Sequence, residues 1–145
     1  MTPIQLISPV DGSTYATRTP LSPEAANSAV ARAKAAQKTW AARPIADRIA
    51  LVKAGVAALI AMKDVLVEEL AWQMGRPTRF GGEFGGVSDR TTYMAEIAEA
   101  TLAPQIIEDS AKFRRYLARE PVGVVFIIAP WNYPYLTTIN TLAPA

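Results

Sequence analysis

Residues 128–134 read Ile-Ala-Pro-Trp-Asn-Tyr-Pro, and the side chain in this string best suited to chemistry is that of Asn132. Its amide NH2 donates hydrogen bonds and is not a practical acid, which suits it to a place where an oxygen becomes negative during a reaction. Pro130 and Pro134 fix the backbone on either side, because each ring locks φ. An asparagine between prolines also has a plainer use, as a turn residue whose side chain satisfies its own backbone. Trp131 has the same two readings, core residue or ligand contact.

The rest of the sequence restricts the chemistry that Asn132 can assist. The 145 residues include no cysteine and no histidine. The chain therefore supplies no thiol nucleophile, no disulfide and neither of the usual soft metal ligands. Residues 81–86, Gly-Gly-Glu-Phe-Gly-Gly, suggest a phosphate loop, but Val87 stands where that pattern needs a lysine. Glu83 breaks the dinucleotide spacing and no strong strand precedes it, so the expectation is a loop or a close approach of helices. Glu68, Glu69, Glu96, Glu99 and the other acids are expected on solvated helix faces. Fifteen basic residues against thirteen acidic ones leave a formal charge of +2, which gives no support to nucleic-acid binding.

Half of the residues are apolar and 19% are charged, the balance of a globular chain with a core. Its length fits one domain or a piece of a larger protein. Residues 1–10 lack a basic segment followed by an apolar one, so a cytoplasmic protein is the default expectation. The uncharged run 121–145 is long enough to span a bilayer, but Pro121, Pro130, Pro134, Pro144, Asn132 and Asn140 interrupt it. Burial in protein, with no membrane, is the expectation.

The elements that must position Asn132 follow from local signals. Asp11-Gly12 marks a hairpin turn with a return strand at 15–18. Ser22-Pro23-Glu24 marks a helix start, with Ala26, Val30, Ala33, Gln37 and Trp40 near one stripe as far as Arg43-Pro44. Ile45, Ile49, Val52, Val56, Leu59 and Ile60 have helical spacing, Lys63-Asp64 marks a break, and Gly75 is placed as a left-handed cap before Pro77. Ser88 or Asp89 is expected to cap a further helix carrying Tyr93, Met94, Ile97 and Ala98 and ending before Pro104. Residues 112–119 read as a polar, half-exposed strand. Residues 122–128, an almost unbroken β-branched and aromatic run, read as a strand buried on both faces. No other run of that kind is present, so its sheet is incomplete. Ligands of open α/β sheets bind beyond the carboxyl ends of strands, which is where residues 128–134 fall.

The string from Glu120 to Pro134, Glu-Pro-Val-Gly-Val-Val-Phe-Ile-Ile-Ala-Pro-Trp-Asn-Tyr-Pro, closely resembles the segment leading into the active site of the aldehyde dehydrogenase superfamily. The hairpin at Asp11-Gly12, the helix from Ser22-Pro23 to Trp40, the helix pair from Arg48 to Leu70 and the exit Met74-Gly75-Arg76-Pro77 are similar to the family's N-terminal pattern.

The resemblance implies an α/β protein of which this chain is about the first third. Residues 1–145 would be the N-terminal portion of the dinucleotide-binding domain, without the catalytic domain. Helices would lead into an oligomerisation-arm strand near 112–118 and then the first strand of an incomplete Rossmann-type parallel sheet. It implies oxidation of an aldehyde to a carboxylic acid with NAD or NADP, through a cysteine thiohemiacetal, in a homodimer or homotetramer. Asn132 would be the side-chain half of the oxyanion hole. Ile128, Ala129, Pro130 and Trp131 would line the dinucleotide, and Tyr133 and Leu136 would face the aldehyde's channel. The cysteine, the general-base glutamate, the ribose-binding lysine and the pyrophosphate turn would lie in sequence beyond Ala145, so these residues alone are expected to be inactive. Two other readings stand beside this one: a coenzyme A-acylating or semialdehyde-specific member of the superfamily, and a non-enzymatic helical assembly module.

Overall fold

The computed structural model describes residues 2–145, so the first residue of the N-terminal segment read above as lacking a secretory signal lies outside the described residues. Strands β1 (Ile4–Ile7) and β2 (Thr14–Arg18) form an antiparallel hairpin. Its turn holds Gly12 at φ +78°, the left-handed conformation that favours glycine there. Helix α1 (Pro23–Ala41) starts where Ser22 Oγ accepts from Ala25 N at 3.1 Å. Helix α2 (Ile45–Ala61) opens after Pro44, and the chain turns at Met62 into α3 (Lys63–Met74). Gly75, at φ 77°, closes α3 as its left-handed cap.

A single 3-10 turn, Thr78–Phe80, leads into α4 (Glu83–Leu102). The expected cap at Ser88 or Asp89 is therefore misplaced, because the helix begins five residues or more before them. Phe84 and Val87 are apolar anchors of its first turns, and Gly85 and Gly86 lie inside it. Glycine costs about 1 kcal/mol in a helix interior, and a neighbour explains one of the two. A Cβ on Gly86 would stand 2.9 Å from Leu136 Cδ1, on the last helix, α5 (Pro134–Leu142). Of the two expectations for this segment, a loop or a close approach of helices, the structure has the second at Gly86 and a helix in place of the loop.

The core sits where α2, α4 and α5 meet. Val56, Val87 and Ile139 are its buried centre, with Val52, Leu59, Ile60, Tyr135 and Ala143 packed around them. The N-terminal hairpin docks on α3 through Ser8, which is buried. Its hydroxyl donates to the Trp72 carbonyl at 2.7 Å and accepts from Val10 N at 3.2 Å.

Between α4 and α5 the chain forms a second hairpin, β3 (Gln105–Asp109) against β4 (Arg114–Leu117), antiparallel and largely exposed. The strand expected over 112–119 is thus realised at 114–117. Its partner β3 gave no signal, since two isoleucines in five residues are too short a pattern. Residues 122–128 pair with no strand among the described residues. Gly123, Val125 and Ile127 line a groove with Val52, Val56, Leu59 and Ile139. Phe126 and Ile128 point away and are 86% and 82% exposed. Burial on both faces is not met within this chain, because a strand's second face and both edges need neighbours that these residues do not supply. The expectation that all of 121–145 is buried fails for the same reason. No helix among the described residues is long and apolar enough to cross a membrane.

Candidate functional site

The loop that follows residues 122–128 is tied to the body of the molecule by one buried ion pair. Arg76, just past the Gly75 cap of α3, and Glu83, first residue of α4, lie at the two ends of the same short connection. Arg76 Nη1 and Glu83 Oε1 are 2.6 Å apart, and the two side chains are 9% and 0% exposed. Glu83 was expected on a solvated face. The structure buries it, and the reason lies on α5.

Pro134 opens α5 without an N–H, which suits the first helical position. The next two amides, Tyr135 N and Leu136 N, both donate to Glu83 Oε2 at 2.9 Å. Helix starts leave such donors unpaired, and usually a side chain just before the helix accepts from them. Here Tyr133 holds that position and caps nothing with its side chain. A carboxylate from another helix accepts instead, and its negative charge also suits the positive end of the α5 dipole.

Arg76 works on the other side of the loop. Its Nη2 donates to the Asn132 carbonyl, and its guanidinium lies over the Tyr133 ring, 4.6 Å from the centroid. The Thr137 hydroxyl donates to the Tyr133 carbonyl, and Thr137 N donates to it at 3.0 Å. Tyr135 packs its ring on Phe84 with centroids 5.2 Å apart. Burial, and then the charges of Glu69 and Glu83, raise the Tyr135 hydroxyl pKa above its ordinary value. On the outer face, Arg90 donates to Asn140 Oδ1 at 2.9 Å, a second link from α4 to α5.

Of the residues singled out in the sequence, Asn132 has its backbone held while its side chain is exposed and makes no hydrogen bond among the described residues. A turn asparagine satisfying its own backbone would show such a bond. Ile128, Pro130 and Trp131 form an exposed strip with half-buried Ala129 beside them, and Trp131 is 73% exposed. Tyr133 is held under Arg76, whereas Leu136 turns its side chain to Gly86. The structure therefore brings Asn132 and Tyr133 onto one clamped loop, leaves 128–131 as open surface leading to it, and sets Leu136 against α4.

Glu83 and Arg76 were not singled out as site residues in the sequence. The available signal was a lone charge among glycines, seven positions after an arginine. The amides it serves lie 52 and 53 residues further on, outside the reach of any periodicity.

Residues 1–145 match the sequence profile of the aldehyde dehydrogenase family. An aminoaldehyde dehydrogenase 2, peroxisomal, from Malus domestica is 34% identical over 126 residues, covering 84% of this chain and 25% of the relative. A 3-sulfolactaldehyde dehydrogenase from Pseudomonas putida is 30% identical over 121 residues, covering 83% of this chain and 25% of that protein. Among solved structures, the NADP-dependent glyceraldehyde-3-phosphate dehydrogenase from Bacillus halodurans C-125 complexed with NADP superposes with a TM-score of 0.87 at 29% identity, over 99% of this chain and 31% of that one. The chain spans about a quarter of the length of the curated relatives named.

Proposed function

Since the chain belongs to the aldehyde dehydrogenase family, we propose that it contributes the oxyanion-stabilising loop of an NAD(P)-dependent enzyme that oxidises an aldehyde to a carboxylic acid. The observation that carries this is the state of Asn132, whose carbonyl is held by Arg76 while its amide is exposed and uncommitted. An amide so held can donate to the aldehyde oxygen as a nucleophile adds to the carbonyl carbon and the oxygen turns negative. The donation strengthens as charge develops, so it lowers the barrier more than it tightens binding.

The thiol that adds and the carboxylate that activates water come from outside these residues, which hold no cysteine. The 145 residues alone are accordingly inactive. Bound NAD or NADP would supply the hydride acceptor. The exposed strip of Ile128, Pro130 and Trp131 beside Ala129 suits it, being a largely apolar surface at the mouth of a strand-to-helix turn. Tyr133 and Leu136 border the aldehyde's approach. Residues 1–145 make up the N-terminal portion of the dinucleotide-binding domain. The exposed hairpin reaching 112–118 belongs to the arm through which subunits pair, its free strand edge being suited to a second chain.

The test is made in the complete enzyme. Asn132→Ala lowers kcat by about 10²–10³-fold, the loss typical of one oxyanion donor, while dinucleotide affinity changes little. Asn132→Asp is worse, because a carboxylate repels the forming charge. A turn role gives the opposite pattern, a lower Tm with kcat intact, and a stable Asn132→Ala enzyme of normal turnover would rule out the donor role.

A further inference from the structure

We propose that Glu83, acting with Arg76, is a positioning residue that sets where the Asn132 amide sits. The inference rests on the oxyanion reading of Asn132 and adds what holds that donor in place. A donor aimed at a developing charge is effective only within about 0.5 Å of its productive position, so something must fix the backbone that carries it. Within these residues the 122–128 run has no ladder partner, so what this chain itself contributes lies elsewhere. That contribution comes from the far side of the loop, where both carboxylate oxygens of Glu83 are in use. Oε1 faces Arg76 Nη1 at 2.6 Å, and Oε2 accepts from Tyr135 N and Leu136 N at 2.9 Å.

Through Arg76 the same carboxylate reaches the Asn132 carbonyl and the Tyr133 ring. Asn132 is thus gripped directly at its own carbonyl and indirectly at the helix start that follows it. Packing alone gives no reason for a charge here. Phe84 and Val87, on the same turns of α4, already supply apolar burial, and a buried ion pair is often no more stabilising than an apolar replacement. What an apolar side chain cannot supply is a pair of acceptors directed at α5 together with an anchor for the arginine fork.

A double-mutant cycle in the complete enzyme separates positioning from simple helix capping. Glu83→Gln keeps the volume and one acceptor oxygen for α5 but turns an NH2 toward Arg76. The expected result is a folded enzyme with kcat lowered by about 10–100-fold and with KM for aldehyde and dinucleotide within about 2-fold of the parent. In the Asn132→Ala background the same Glu83→Gln change lowers kcat by less than about 2-fold, because coupled residues are not additive and an absent donor cannot be misplaced. Arg76→Gln is the second variant, should Glu83→Gln not fold. It leaves Glu83 capping α5 while releasing the Asn132 carbonyl, and it is expected to show the same lack of additivity.

Losses that multiply across the cycle overturn the proposal, as does a Glu83→Gln enzyme with lowered Tm and normal kcat. If Asn132→Ala alone leaves kcat unchanged, the oxyanion reading itself fails, and that outcome is visible before any change at Glu83 is made.

Discussion

The loop at 131–136 and the run at 122–128 that feeds it are neighbours in sequence but are secured in opposite ways. The loop is held by groups within the chain: a buried carboxylate, an arginine fork and the first amides of α5. The run has its inward residues, Val125 and Ile127, against the helices, while Phe126 and Ile128 stay exposed and no strand pairs with it. Side-chain recognition can be completed by three or four groups. A β-ladder needs a whole neighbouring backbone, and a parallel one needs a crossover to deliver it. The contrast shows which parts of the candidate site are self-sufficient. The backbone at Asn132 is held from within this chain, whereas the surface beside it is left open by these residues.

The change that cuts deepest into this contrast is Glu83→Ala. It leaves Arg76 without its buried partner and two α5 amides without acceptors. A loss of about 3–5 kcal/mol in unfolding free energy is expected, as for one half of a buried pair removed, and urea melts of parent and variant measure it. A loss below about 1 kcal/mol would place the clamp with the weak surface pairs, such as Arg115 with Glu108 at 3.2 Å on the exposed hairpin.

A smaller effect comes from Tyr135, which belongs to the clamped region. Its hydroxyl pKa is raised in the fold, chiefly by burial and then by Glu69 and Glu83. The neutral phenol is therefore favoured in the folded state. That contribution is fully present below the ordinary value of 10.0 and is lost as pH rises through the folded value. Tyr135→Phe is expected to flatten the fall in Tm between neutral pH and the alkaline range, and an unchanged alkaline slope would deny the linkage.

The smallest change in stability is expected in the unpartnered run. Phe126→Ser should alter the unfolding free energy by no more than about 0.5 kcal/mol, since its ring is exposed already. It should nonetheless reduce self-association, because it removes exposed apolar surface. Size-exclusion chromatography alongside the melt reads both. A large destabilisation by Phe126→Ser would mean that the run is secured within the chain after all.

The features legible in the sequence were those with local causes. Asp11-Gly12, Ser22-Pro23, Pro44 and Gly75 each mark a boundary by their own backbone chemistry, and the structure has turns or helix ends at all four. The family likeness and the Asn132 loop were visible in one string of residues. The start of α4 is obscured because the glycines there are as compatible with a loop as with a close helix approach, and the α5 contact that accounts for Gly86 is tertiary. Helix α5 itself lay hidden in an uncharged stretch where Thr137, Thr138 and Ile139 favour strand as readily as helix. Glu83 was misjudged because its partners are tertiary. Its burial depends on amides 52 and 53 residues away, and composition around it carries no trace of them.

The span of those contacts also sets an order of events in folding. Arg76 and Glu83 are seven residues apart and can meet as soon as α3 and α4 form. The α5 amides come more than fifty residues later, so they join only after a much larger loop has closed. Until then one carboxylate oxygen must keep its water, and the site cannot dry. Docking of α5 and drying of the Glu83 pocket are therefore expected to coincide, after the shorter Arg76–Glu83 loop has closed. Replacements at Glu83 should accordingly speed unfolding much more than they slow refolding, the kinetic pattern of a contact absent from the transition state.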